Sequence, residues 1–339
     1  MLGTSQPRGR SAWWLLAATL ALVALVTAGL LVGSDTIGLS TAVQALTAFD
    51  GSREHLVIRD IRLPRTLLGL AVGAALAVAG AVMQGLTRNP LASPSVFGVS
   101  AGASFAVVLG MYTGAVTSQL GQAGLAMAGA ATAAVTVYLI GAGRTGSASS
   151  TPLRTALGGA VLTTALSAWT YTVMSVSRRT ADEARFWLTG SLVGRPLDTL
   201  YSVLPILVLG LVLAFATTRS LNNLALGEEN AVALGTSLTR TRVLAGLAVT
   251  ALAGGSVAAA GPIAFVGLAV PHLVRLAVGV DHRRLLLGCL LVGPTLLITA
   301  DLVGRVVARP GEIDAGIVTA LLGAPVLIAL ARKAKVGRA

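Results

Sequence analysis

Two pairs of charged residues are the groups in this sequence whose spacing indicates a specific interaction. Glu228 and Glu229 are adjacent in a polar segment, 219–242, between two long apolar stretches. Anionic lipid would repel such a pair, so a protein partner is favoured over a helix resting on lipid headgroups. Asp301 and Arg305 are four residues apart in a predicted helix, a spacing that predicts an ion pair on one helical face.

The chain has no P-loop with which to hydrolyse a nucleotide. It contains only two lysines, Lys333 and Lys335, and neither is followed by Ser or Thr. A P-loop needs Gly-Lys-Ser/Thr, because the lysine reaches the phosphates and the hydroxyl holds magnesium. Neither the single cysteine, Cys289, nor the three histidines belong to a cluster with metal-ligand spacing. We therefore expect no catalytic residue, no metal site and no cofactor.

The elements that position these residues are predicted to be membrane helices. The 339 residues are 55% hydrophobic and 11% charged, with a mean hydropathy of +0.82, whereas soluble domains carry about 25% charged residues. Apolar runs of roughly 18 residues or more recur, long enough to cross a hydrocarbon core of about 30 Å. They lack the alternation of a β-barrel. The sequence predicts an all-α, polytopic membrane protein with a single transmembrane domain over 1–339.

Hydropathy predicts ten membrane spans, an even number that places both termini on the same side. The first follows two arginines, and we expect it to be retained, because it is longer than a signal-peptide core and lacks a cleavage site. The predicted spans are 13–33, 65–86, 96–113, 123–141, 155–176, 200–218, 243–260, 263–280, 285–304 and 314–331.

The distribution of charge predicts which side faces the cytoplasm. With cytoplasmic termini, the inner segments hold 15 of the 25 basic residues and three acids, and the outer segments hold ten of each. This asymmetry is what the positive-inside rule requires. The segments 34–62 and 177–199 are then external loops, and 219–242 is cytoplasmic. Nucleic acid is not expected as a partner, because the positive charge is divided among short loops.

The cytoplasmic segment 219–242 has the pattern of a short amphipathic helix pair, with apolar residues at near-helical spacing. Three further points predict interrupted helices in the membrane: Asn89-Pro90, Gly261-Pro262 and Pro271. The predicted spans contain almost no ionisable group of the kind that ion-coupled transporters keep at mid-membrane depth. A pore, a scaffold, or a transport subunit powered by another chain remain as alternatives.

Five motifs spread over nearly the whole chain carry a family resemblance. They are RLPR at 62–65, GAALAVAGAVMQGLTRNPLASPSVFGVSAGAS at 73–104, ALGEENAVALG at 225–235, GPIAFVGLAVPHLVR at 261–275, and ADLVGR with GIVTALLGAPVLI at 300–328. The sequence resembles the FecCD-type permeases of ABC importers for iron-siderophores, haem and cobalamin. The resemblance implies a second permease subunit, identical or related, two cytoplasmic ATPase subunits, an extracytoplasmic substrate-binding protein and a lipid bilayer around the helices.

The resemblance also assigns roles to particular residues. Seven in the cytoplasmic segment are implied to couple to the ATPase: Leu226, Gly227, Glu228, Glu229, Ala231, Leu234 and Gly235. Arg62, Arg65 and Arg305 are implied to meet carboxylates of the binding protein, a role that suits bidentate arginine. Anchoring of the second span is the alternative for Arg62 and Arg65, and the pair with Asp301 is the alternative for Arg305.

Two turns resemble the family's cytoplasmic constrictions. Asn89, Pro90 and Leu91 match the first, and Thr151, Pro152 and Leu153 match the second by a looser alignment. Ordinary helix connections are the equal alternative for both, because a proline turn suits either purpose.

The function implied is inward transport of a ferric siderophore through the membrane, driven by ATP that a separate subunit hydrolyses. The preference for a siderophore rests on the stretch RFWLTGSLVGR at 185–195. Import of haem or cobalamin by the same mechanism is the first alternative. A secondary transporter or channel without ATPase partners and a membrane scaffold are the others.

Overall fold

The computed structural model describes residues 8–33, 36–116, 118–142, 152–309 and 311–336, and all regular elements in these ranges are helical. Two short elements, a π-helical turn at Val57–Arg62 and a 3₁₀ turn at Pro94–Phe97, accompany fifteen α-helices. These are α1 (Arg8–Leu31), α2 (Leu39–Thr47), α3 (Arg53–Leu56), α4 (Leu63–Thr87), α5 (Val99–Thr113), α6 (Gln119–Ala142), α7 (Pro152–Val176), α8 (Arg178–Leu188), α9 (Leu197–Ala216), α10 (Thr218–Leu224), α11 (Glu228–Ala233), α12 (Leu238–Ala260), α13 (Val266–Val278), α14 (His282–Val307) and α15 (Ala315–Val336).

The all-helical architecture predicted from the sequence is confirmed, and each of the ten predicted spans coincides with a helix: α1, α4 to α7, α9 and α12 to α15. Within the described residues, six helical stretches are long and apolar enough to cross a membrane: Trp13–Leu31, Arg53–Thr87, Gln119–Gly141, Leu197–Ala216, Leu238–Ala260 and His282–Val307. Three apolar helices are shorter, at Val99–Thr113, Val266–Val278 and Ala315–Pro325. The number of crossings and the cytoplasmic side of the termini stay predictions.

Helix α4 lies at the centre of the bundle, packed against α14, α12, α13 and α9. In the most apolar 18-residue stretch of α4, 78% of the residues are buried, whereas in that of α1 only 6% are buried. Helix α1 therefore lies at the outside of the bundle. Small residues permit this packing, because they let helix backbones approach closely. Gly80 lies against the backbone of Gly267 in α13, and Gly73 lies against that of Gly293 in α14.

The chain breaks as predicted after α12, at residues 261–265, but not at Pro271. Helix α13 has 13 residues, or about 20 Å, which is shorter than the hydrocarbon core. Pro271 lies within this helix and cannot donate to the carbonyl of Gly267 four residues earlier. Gln84 of α4 donates its Nε2 to that carbonyl at 3.4 Å. The predicted break at Pro271 is therefore wrong, because a neighbouring helix satisfies the freed carbonyl.

The predicted break at Asn89-Pro90 is confirmed. Helix α4 ends at Thr87, and the next residue, Arg88, has a φ of 52° in the left-handed region. The side-chain Oδ1 of Asn89 then accepts from the backbone N–H of Leu91 at 2.9 Å and closes a tight turn. The chain re-enters the bundle through Pro94–Phe97 and begins α5 at Val99.

The two segments expected to be external loops are mostly helical. Residues 34–62 contain α2 and a helical run from Arg53 that continues without interruption into α4. Residues 177–199 contain α8, which begins after Ser177, whose hydroxyl accepts from the backbone N–H of Thr180 at 3.2 Å. Their external location stays a prediction.

Candidate coupling segment and outer arginine cluster

The polar segment between α9 and α12 forms two short helices, α10 and α11, as the spacing of its apolar residues predicts. We call residues 218–237 the coupling segment, after the role predicted for it. Leu221 and Leu224 of α10 are buried against the bundle. Leu226, Val232 and Leu234 are 62%, 55% and 59% exposed, and they leave an apolar surface uncovered in this chain.

Most residues predicted to couple to an ATPase lie at or near this surface, but Ala231 is fully buried. Gly227 precedes α11 with a φ of 107°, and Gly235 follows it with a φ of 76°, so both occupy backbone conformations that favour glycine. The two glycines and Ala231 therefore set the shape of α11, while Leu226, Leu234 and Glu229 are exposed.

Helix α10 is fixed to the start of α14 by Asn222. The side-chain amide of Asn222 donates to Asp281 Oδ2 at 2.9 Å, and its Oδ1 accepts from the backbone N–H of His282 at 2.9 Å. Asn223 donates to Thr236 Oγ1 at 2.9 Å and closes the segment on itself. These amide bonds make the coupling segment a defined structural unit attached to the bundle.

The two adjacent glutamates have different surroundings. Oε1 of Glu228 contacts an Nη of Arg242 in α12 at 3.0 Å and an Nη of Arg88 at 3.4 Å. Glu229 is exposed and forms no ion pair within the described residues. The sequence suggested equivalent roles for Glu228 and Glu229, because two adjacent glutamates do not show which of their side chains faces the bundle.

The two predicted gates differ in how much of each the structure describes. Asn89, Pro90 and Leu91 form an exposed turn at the end of α4, beside the ion pair of Arg88 with Glu228. Thr151 lies outside the described residues. Pro152 and Leu153 begin α7, and only their backbone is described. A gating role for either turn stays a prediction.

At the opposite end of α4, a buried ionic cluster joins α4, α14 and the connection to α15. We call Arg65, Asp301, Arg305 and Glu312 the outer arginine cluster, after the side of the membrane on which the sequence predicts this end of α4 to lie. Arg65 donates Nε to Asp301 Oδ1 at 2.9 Å, one Nη to the same oxygen at 2.7 Å, and its other Nη to Glu312 Oε2 at 2.6 Å. Arg305 pairs with Asp301, as their spacing predicts.

Arginines also hold the carboxyl end of α1 in place. Arg62 donates to the carbonyls of Leu30 and Leu31 at 2.9 and 2.7 Å, and Arg305 donates to the carbonyl of Gly29 at 2.9 Å. Helix carboxyl ends carry unpaired carbonyls and partial negative charge, which arginine stabilises.

The three arginines predicted to dock a binding protein are thus held inside the chain in this structure. Arg62, Arg65 and Arg305 are only 4%, 4% and 3% exposed. Glu312 also belongs to the cluster. It lies in the connection before α15, and its separation of 247 residues from Arg65 leaves no local pattern in the sequence that would predict the contact. Docking by these arginines stays a prediction.

Two cavities with polar side chains among their lining residues lie at the two ends of the helices. One, of about 510 Å³, lies beside the outer arginine cluster and is lined by Met111, Gln122, Glu183, Trp187, Ser191, Val193, Arg195, Glu312 and Asp314. The other, of about 460 Å³, adjoins the coupling segment, with Arg219 and Arg240 among its lining residues.

An apolar helical bundle with interrupted helices, cavities at its ends and a structured segment exposed at one end fits a membrane transport permease. The family model described as the FecCD transport family matches residues 20–333, and the chain belongs to that family. It is accordingly a multi-pass membrane protein of the ABC transporter permease class, a transport component rather than an enzyme.

Curated relatives align over almost the full chain. The ferric enterobactin transport system permease protein FepD of Escherichia coli (strain K12) is 43% identical over 315 residues, which is 93% of each chain. The probable siderophore transport system permease protein YfiZ of Bacillus subtilis (strain 168) is 39% identical over 312 residues, 92% of this chain and 93% of the relative. The cobalamin import system permease protein BtuC of Halobacterium salinarum is 41% identical over 282 residues, 83% of this chain and 75% of the relative.

A solved structure of a metal-chelate type ABC transporter in an inward-facing conformation has the same fold. It superposes with a TM-score of 0.84 and 31% sequence identity, over 95% of this chain and 99% of that one.

Proposed function

We propose that this chain is the permease subunit of an ABC importer that moves a ferric siderophore inward. The observation that carries the proposal is the structure of the coupling segment: a pair of helices, fixed to the bundle by Asn222, that presents exposed apolar side chains and a Glu229 with no ion pair among the described residues. Such a surface fits a protein partner, and a chain with no P-loop needs one to use ATP.

The partner that fits this surface is a cytoplasmic ATPase subunit. Binding and hydrolysis of ATP move the coupling segment, and the attached helices tilt as rigid bodies to open one end of the pathway and close the other. The pathway lies between this chain and a second permease subunit, identical or related. The predicted spans carry few charges, so the cargo is held weakly, by shape and scattered hydroxyl and amide groups.

The substrate-binding protein docks on the opposite face, around the outer arginine cluster. Because Arg65 is already bonded to Asp301 and Glu312, a carboxylate of the binding protein would replace Glu312 on Arg65. Glu312 is the suitable one to leave, since its side chain is 35% exposed whereas that of Asp301 is 3% exposed. In this proposal, Arg65 exchanges Glu312 for a carboxylate of the binding protein, and it is ion-paired both before and after docking.

The contact with the ATPase is tested by Leu226→Glu and Leu234→Glu. Each places a charge in the exposed apolar surface, so we expect recovery of the ATPase with the purified permease to fall about tenfold or more, as for loss of an interface anchor. The fold should persist, because both side chains are already exposed. Leu39→Glu in α2, at 60% exposure, is the matched control on the predicted outer face. Equal recovery for all three variants and the unmodified protein would contradict this contact.

Two relatives name siderophores or ferric enterobactin, and a third names cobalamin, so the cargo is tested directly. The cognate binding protein is titrated with ferric siderophores, haem and cobalamin, and each loaded form is then offered to the complex in vesicles. We expect uptake of a ferric siderophore only. Uptake of cobalamin or haem in its place would correct the substrate while leaving the permease class intact.

A further inference from the structure

Glu228 joins three parts of the structure, its own helix and the two parts that its side chain contacts. It is the first residue of α11 in the coupling segment, and its Oε1 contacts Arg88 at the end of α4 and Arg242 in α12. The side chain of Arg242 is 15% exposed, and those of Glu228 and Arg88 are 33% and 42% exposed. One carboxylate therefore connects the short helix at the surface to the central helix of the bundle.

Arg88 occupies a conformation that its own backbone does not favour. Its φ of 52° and ψ of 29° are left-handed, which costs an L-residue other than glycine about 1 kcal/mol or more. Its backbone N–H reaches the Gly85 carbonyl only at 3.4 Å. Asn89, Pro90 and Leu91 follow directly, so the position of Arg88 determines where this turn begins.

We propose that Glu228 is a positioning residue that links movement of the coupling segment to the turn at 89–91, and that it does so through Arg88. This inference rests on the proposed function, in which an ATPase moves the coupling segment. The two glutamates then have different roles: Glu229 faces the ATPase, and Glu228 transmits the movement of α11 to Arg88 within the chain. A half-exposed ion pair suits this role, because its modest strength allows it to re-form when α11 shifts.

The experiment compares Glu228→Gln, Arg88→Gln and the double variant in the full complex with ATPase subunits and binding protein in vesicles. Uptake per ATP hydrolysed reports on transmission, and the amount of co-purified ATPase reports on assembly. We expect assembly to be unchanged and uptake per ATP to fall about two- to fivefold in each single variant. The double variant should be no worse than Glu228→Gln alone, because Glu228→Gln already removes the contact with Arg88 together with the one to Arg242.

Arg283→Gln is the matched control. Arg283 is an exposed arginine in the first turn of α14, on the same predicted face, and it forms no ion pair within the described part of the chain, so uptake per ATP should not change. Loss of ATPase from the Glu228→Gln complex, additive losses in the double variant, or unchanged uptake per ATP would each overturn the inference. Failure of the unmodified complex to couple uptake to ATP would instead contradict the proposed function on which it rests.

Discussion

Replacing Asp301 by Asn is expected to destabilise the protein by about 3–5 kcal/mol, as is usual when one partner of a buried ion pair is removed. Asp301 is 2% exposed and is the carboxylate shared by Arg65 and Arg305. The neutral amide would leave two buried guanidinium groups close together, with Glu312 as the remaining carboxylate of the cluster. The free energy of unfolding in detergent micelles measures this cost.

Asp182→Asn is the control for the same chemical change at an exposed site. Asp182 and Arg185 in α8 approach to 3.8 Å, and their side chains are 74% and 72% exposed. Removing this pair should alter the free energy of unfolding by no more than about 0.5 kcal/mol. Similar losses for the two variants would show that the outer arginine cluster does not stabilise the bundle.

Replacing Gly80 by Ala is expected to cost about 3 kcal/mol, at the upper end of the usual range for overpacking. A Cβ at this position would overlap the backbone carbonyl of Gly267, which cannot rotate away as a side chain could. Helices α4 and α13 would have to separate, and the contact of Gln84 with the carbonyls of Gly267 and Leu268 would be lost with them. Thermal unfolding of the purified protein measures the loss.

Gly124→Ala in α6 separates this effect from the general consequences of changing a glycine. Among the described residues, no atom from outside its own turn of α6 lies within 4 Å of the place that a Cβ at Gly124 would take. Alanine favours helix over glycine by about 1 kcal/mol, so this variant should be neutral or slightly more stable. A loss as large as that of Gly80→Ala would contradict the role assigned to close packing of α4 and α13.

The helices were predictable from the sequence because each one depends on a local pattern of apolar residues. An apolar run of the length of a bilayer specifies a helix without reference to its neighbours, and Asn89-Pro90 specifies a turn by its own chemistry. Glycines four residues apart, such as Gly69 and Gly73 or Gly98 and Gly102, also predict close helix packing, and Gly73 and Gly102 do lie against α14 and α6. Gly114 has the same spacing but lies in a turn with a φ of 74°, so spacing alone did not establish contact.

The interactions of charged residues were less predictable, because they join distant parts of the chain. Asp301 and Arg305 were paired correctly from a separation of four residues, but Arg65, the other partner of Asp301, is 236 residues away. Likewise, sequence could not separate Glu228 from Glu229, since the difference depends on where α12 and the end of α4 lie. Pro271 was misassigned for the same reason: the side chain that accommodates it comes from α4.

The central claim is that this permease moves its cargo only when a separate ATPase acts on the coupling segment. The most direct test is uptake of a ferric siderophore into vesicles that contain the full complex, with ATP supplied at the ATPase side. We expect uptake with ATP, and none with ADP, with a hydrolysis-deficient ATPase or without the ATPase. Uptake at the same rate by the permease alone would contradict the account and indicate a secondary transporter or channel.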